Sequence, residues 1–148
     1  MKTIISILAL TSISLLGFSG GKSEKIHEEF ASKQGVVSMT FSKEMLEAFD
    51  LDFDWQKALM NFSGDFAKIK ILFLSGQNAY TADIQKRLKK YGYKQVDLEG
   101  NNEADLQIYT DKKRKEFNEI HLMSTGEGSG MLISVFGKFV ITDKQDLK

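Results

Sequence analysis

The chain has 148 residues, 42% of them hydrophobic and 27% charged, the profile of one ordinary globular domain. Its 20 Lys+Arg balance 20 Asp+Glu, so no net charge marks it as a general polyanion binder. With neither cysteine nor proline, the chain excludes disulfide staples, thiolate metal sites, cysteine nucleophiles and polyproline linkers.

Met1-Lys2 precedes an apolar run from Ile4 to Phe18, followed by small polar residues at Ser19-Gly20-Gly21. This basic, apolar, small-residue order is that of a secretory leader. Gly17 and Ser19 suit the two small-residue positions of a leader peptidase, so cleavage after Ser19 is expected, with cleavage after Gly21 the alternative. The run would span roughly 22 Å as a helix, short of the roughly 30 Å hydrocarbon core, which argues against an uncleaved anchor. No cysteine stands at the cut to carry a lipid, so the product is expected to be exported, periplasmic or secreted, and not a lipoprotein. Residues 1–19 are read as the leader and 20–148 as one domain, with membrane contact only through the leader before cleavage.

Ser23 is the expected N-cap of a helix over 24–33, with Ile26 and Phe30 on one face and Gly35 as the stop. Val36 to Phe41 alternates as a strand, presenting Val37, Met39 and Phe41 on one face. Ser42 can cap a short helix burying Met45, Leu46 and Phe49. A further short helix is expected over 51–62 from Trp55, Leu59 and Phe62 at i, i+4, i+7, broken by Ser63-Gly64-Asp65. Ile69 to Ser75 is almost continuously apolar and reads as a central strand. Tyr80, Ile84, Leu88 and Tyr91 define a helix over 80–91, closed by Gly92. Strands follow at 94–98, 105–110, 117–124 and 131–140, the last two joined by a wide glycine-rich turn, and Thr142 can cap a terminal helix. Helices first and a strand meander afterwards predict an α+β single domain, a mainly antiparallel sheet of five to six strands with helices packed on it.

Most reactive constellations fail on residue identity. His27-Glu28-Glu29-Phe30-Ala31 opens like a helical zinc-protease motif, but Ala31 stands where the second histidine belongs, and Glu28 and Glu29 read as solvated. His121 shares a strand face with Glu119 and Met123 and reads as a satisfied surface or edge residue. Asp50, Asp52 and Asp54 begin a calcium loop that lacks its glycine, Trp55 standing there, and its closing glutamate, Asn61 standing there. Gly126 to Gly130 has no helix after it and no lysine, so it is a hairpin rather than a phosphate loop. Lys112-Lys113-Arg114-Lys115 is the one strong basic cluster, a solvated hairpin tip or an anionic-surface contact. It carries no interleaved aromatics, so no nucleic-acid binding is expected. Phe53, Trp55, Phe62 and Phe66 crowd between two elements; helical spacing of Trp55, Leu59 and Phe62 makes core packing the default, while Phe53 and Phe66 lie off that stripe, and the four together are the candidate partner contact.

In order and spacing, three segments resemble an exported Bacteroidota family, the domain of unknown function DUF4252. They are Tyr91-Gly92-Tyr93, Leu106-Gln107-Ile108-Tyr109, and the closing pair Phe117 to Leu122 and Leu132 to Phe139. The resemblance covers the whole mature chain. It implies a leader-bearing α+β domain of the cell envelope, with no defined activity, cofactor or catalytic residues. The expected function is therefore a non-catalytic exported accessory domain binding a protein or envelope component, with no catalytic residue, cofactor or metal. The alternative is a small-ligand-binding protein or a hydrolase whose carboxylate/His site assembles only in the fold, around His27 or His121.

Overall fold

Alternation along each strand sorts side chains to two faces, and the two sets of apolar residues each find a cover. The computed structural model describes residues 21–49, 62–76, 78–96, 106–111, 116–126 and 128–141. In chain order the elements are α1 (Lys22–Ala31), β1 (Val36–Ser42), α2 (Lys43–Phe49), β2 (Phe62–Ser75) and α3 (Asn78–Lys90). β3 (Lys94–Val96), β4 (Leu106–Thr110), β5 (Glu116–Gly126) and β6 (Ser129–Ile141) complete it. The strands form one six-stranded sheet in the order β1-β2-β6-β5-β4-β3. Every neighbouring pair is antiparallel, the α+β architecture expected.

One face carries Leu72, Leu74, Met123, Leu132 and Tyr109 under Ile26 and Phe30 of α1 and Ile84 and Leu88 of α3. Each such side chain, fully withdrawn from water, contributes roughly 1.5–3 kcal/mol. The opposite face gathers Ile69, Ile71, Ile108, Ile120, Leu122, Ile133 and Val135, with Leu46 of α2 against them. A sheet covered on both faces buries both sets of alternating residues. Polar positions on its helix side are therefore enclosed as well. At the outer edge, Val37 of β1 is 58% exposed, and its cross-strand neighbour Phe73 is exposed too.

Several boundaries differ from those expected. Phe62 does not end a helix: it opens β2, which runs unbroken through Ser63-Gly64-Asp65, the rest of that expected helix lying outside the described residues. Gly64 has no Cβ to collide with the β6 backbone at Lys138, so the apparent breaker is a close-approach residue within the sheet. β2 lies between β1 and β6, one strand in from the edge. The turn between β5 and β6 is tight rather than wide, since pairing persists to Gly126 opposite Ser129. In α2 the Ser42 hydroxyl accepts from the Met45 N–H, as a cap should, but Met45 is exposed and Leu46 is the buried residue. The expected helix after Thr142 lies outside the described residues.

Candidate functional site

The buried stripe of α1 is Ser23, Ile26, His27 and Phe30, spaced i, i+3, i+4, i+7. Two of these four are polar. Below them the sheet presents three rows. Leu72, Leu132 and Met123 form an apolar row across β2, β6 and β5. The next row is Lys70, Ser134, His121 and Tyr109, and the last is Lys68, Phe136 and Glu119. The apolar half of the α1 stripe covers the first row, and its polar half meets the other two.

His27 Nε2 and His121 Nδ1 each lie 2.7 Å from Ser134 Oγ. His121 Nε2 is 3.0 Å from Glu119 Oε2. The same carboxylate oxygen accepts from Ser23 Oγ at 2.7 Å and Tyr93 Oη at 2.5 Å. Tyr93 and Phe136 box the His121 ring edge-on, at centroid separations of 4.7 and 6.2 Å. Burial alone would raise the Glu119 carboxyl, but the bonds from His121, Tyr93 and Ser23 outweigh it and hold the group below the ordinary carboxylate range. Burial, followed by repulsion from His121 and Lys70, lowers the His27 imidazole to about 3, so this ring is neutral.

Those charge states orient the protons. Ionised Glu119 accepts from the Nε2–H of His121, and in the neutral tautomer of that ring Nδ1 accepts the Ser134 hydroxyl proton. His27 donates its Nε2–H to Ser134 Oγ, and its Nδ1 is left buried without a partner. Ser134, His121 and Glu119 thus have the connectivity of a nucleophile, base and orienting acid. Yet Ser134 and His121 are 0% exposed, and the Ser134 oxygen is already engaged by His27. The hydroxyl is sealed beneath α1.

Beside this chain lies a cavity of about 570 Å³, lined by Gly21, Glu24, Phe66, Lys68, Glu119 and Phe136. Backbone irregularity creates it. On β2 the register shifts between Phe66 and Lys68, and on β5 between Phe117 and Glu119, both opposite the same stretch of β6. Within the cavity wall Lys68 pairs with Glu24 and lies 5.0 Å from the Phe136 ring centroid, while Lys70 Nζ is 3.7 Å from Glu24. Gly21 seats the start of α1 against Glu119, since a Cβ there would overlap Oε1 of that carboxylate.

The expected site residues are placed unevenly. Phe53, Trp55, Lys112, Lys113, Arg114 and Lys115 lie outside the described residues. Phe62 belongs to β2, its side chain outside the description. Phe66 is half-buried, packed against the second-face cluster and bordering the cavity. His121 is not a surface or edge residue: it sits on an interior strand, wholly buried, although its face-sharing with Glu119 and Met123 is as expected. Glu28 and Glu29 are exposed, as expected. Ser23 caps nothing, because α1 begins at Lys22 and the Ser23 hydroxyl points inward to Glu119. No motif marks Ser134 or Tyr93; the i, i+3, i+4, i+7 placement of Ser23 and His27 with Ile26 and Phe30 is the one sequence signal that polar groups enter the interior here. Among the described residues no group of three or more His, Asp or Glu is placed to hold a metal ion.

An antiparallel sheet backed by helices, with its polar seam sealed under α1, defines a small α+β domain. The family model for the domain of unknown function DUF4252 matches residues 30–147, and the chain belongs to that family. The match includes Tyr93, Glu119, His121 and Ser134 and begins after Ser23 and His27. No curated protein and no solved structure matches the chain.

Proposed function

We propose that the protein is a non-catalytic accessory domain exported to the cell envelope, where it binds a protein or envelope component. The observation carrying this reading is the contrast between a sealed Ser134 hydroxyl, 0% exposed, and the open cavity beside Glu119. Buried polar chains of this kind fix one packing arrangement, whereas apolar cavities with a few placed polar groups receive ligands. Export rests on the Lys2, Ile4–Phe18, Ser19 arrangement, and a cut after Ser19 leaves every described element intact. Phe53, Trp55, Phe62 and Phe66 supply the aromatic part of a partner contact, and Lys112, Lys113, Arg114 and Lys115 a salt-sensitive hold on anionic headgroups.

A hydrolase is the second reading, favoured by the 2.7 and 3.0 Å spacings from Ser134 to His121 to Glu119. It requires α1 to lift, because His27 occupies the Ser134 oxygen. Treatment with a fluorophosphonate probe, followed by peptide mass spectrometry, separates the two. No adduct at Ser134 is expected in the folded protein, and stoichiometric labelling there would establish the hydrolase instead. Cell fractionation with sequencing of the mature N-terminus tests export, the expected first residue being Gly20.

A further inference from the structure

Glu119 is 8% exposed, and Ser23, Tyr93 and His121 all bond the same oxygen, Oε2. Oε1 accepts from no described residue and lies against Gly21, with which Glu119 shares the cavity wall. Three donors, from α1, the turn before β3 and β5 itself, thus hold the carboxylate through one oxygen and leave the other to the cavity wall at Gly21. Oε1 is not among the buried side-chain atoms left without a partner, so it keeps an opening through which a donor can reach it. We propose that the cavity binds a primary monoamine on an apolar body, its ammonium received by Glu119 Oε1. This deepens the binding reading above and rests on it.

The walls set the ligand's chemistry. An ammonium brings a positive charge and three donors, more than a neutral hydroxyl can offer a carboxylate. Phe136 and Phe66 give the body of the ligand apolar surface. Lys68 and Lys70 both turn to Glu24, so neither lysine takes up Glu119. Lys138 is exposed at the rim, and Asp65 across from it is paired with Lys43, so a second positive charge on the ligand meets repulsion there. One ammonium is therefore favoured over two.

Calorimetric titration of the protein with 2-phenylethylamine, 2-phenylethanol and 1,5-diaminopentane tests the assignment. Saturable binding of the aromatic amine is expected, at least tenfold tighter than of the alcohol or the diamine. Glu119→Gln should weaken amine binding at least tenfold. Should that variant fail to fold, Ala67→Trp provides the second test, because Ala67 is exposed on the cavity wall and a large ring there competes with the ligand's body for the space. It too should weaken binding at least tenfold. Equal affinity for amine and alcohol, amine binding unchanged in either folded variant, or no saturable amine binding would each overturn the proposal. An unlabelled Ser134 with no amine bound overturns this ligand alone, whereas fluorophosphonate labelling of Ser134 overturns the reading beneath it.

Discussion

Acid should loosen this fold through His27 before the carboxylates protonate. The ring lies beneath α1, facing Ser134 on β6, His121 and Glu119 on β5, and Lys68 and Lys70 on β2. Burial and its cationic neighbours lower its pKa from 6.5 to about 3, so between those values the unfolded chain binds a proton that the folded chain refuses. Stability from this group is present above pH 6.5 and is lost as pH falls toward 3, at up to about 1.4 kcal/mol per pH unit. From about pH 7 to about pH 5 the integrated loss is about 2 kcal/mol. Glu119, whose pKa is also depressed, acts in the same direction, but only once pH nears the ordinary carboxylate range. Urea unfolding at a series of pH values measures the slope, with His27→Gln as the comparison, since the amide still donates to Ser134 but does not titrate. The variant should lose most of the pH dependence between about pH 5 and pH 7. If it keeps the full slope, the ring is not the refused proton site, and the assignment of a neutral His27 is refuted.

Ser134→Ala should lower stability by about 1–3 kcal/mol, because His27 Nε2–H loses its acceptor and His121 Nδ1 its donor in a closed interior. A fall in the urea midpoint with unchanged m-value checks this, and an unchanged midpoint would show that the hydroxyl is not shared. Gly21→Ala should cost about 1–3 kcal/mol through overlap with Glu119 rather than backbone strain, the φ of −55° being open to any residue. A variant melting like the wild type would mean that α1 does not sit against the carboxylate.

Where periodicity was strong, the sequence carried the fold. Tyr80, Ile84, Leu88 and Tyr91 mark α3, whose buried Ile84 and Leu88 are two of those positions, and Gly92 follows at φ 90°. The alternation of Ile108, Ile120 and Leu122 puts them together on the second face. Alternation assigns a face, however, and cannot tell whether that face is covered. For His121 the alternation gives the right side of the strand, while its depth depends on the helix laid over it. The first half of β2 was illegible for a local reason: Phe62-Ser63-Gly64-Asp65 has turn composition, while the close approach of Lys138, distant in sequence, makes glycine a strand residue there. The polar chain joins residues as far apart as Ser23 and Glu119 or His27 and Ser134, separations that no motif spacing encodes.

The hollow beside Glu119 is cut by the main chain, where two strands slip register against one stretch of a third. Gly137 lies in that stretch with the β2 backbone so near that a methyl group would strike it. Side chains merely furnish a space whose outline is already drawn. Phe66, Lys68 and Lys138 can thus be exchanged during divergence without redrawing the strands, so the scaffold can outlast any single ligand preference.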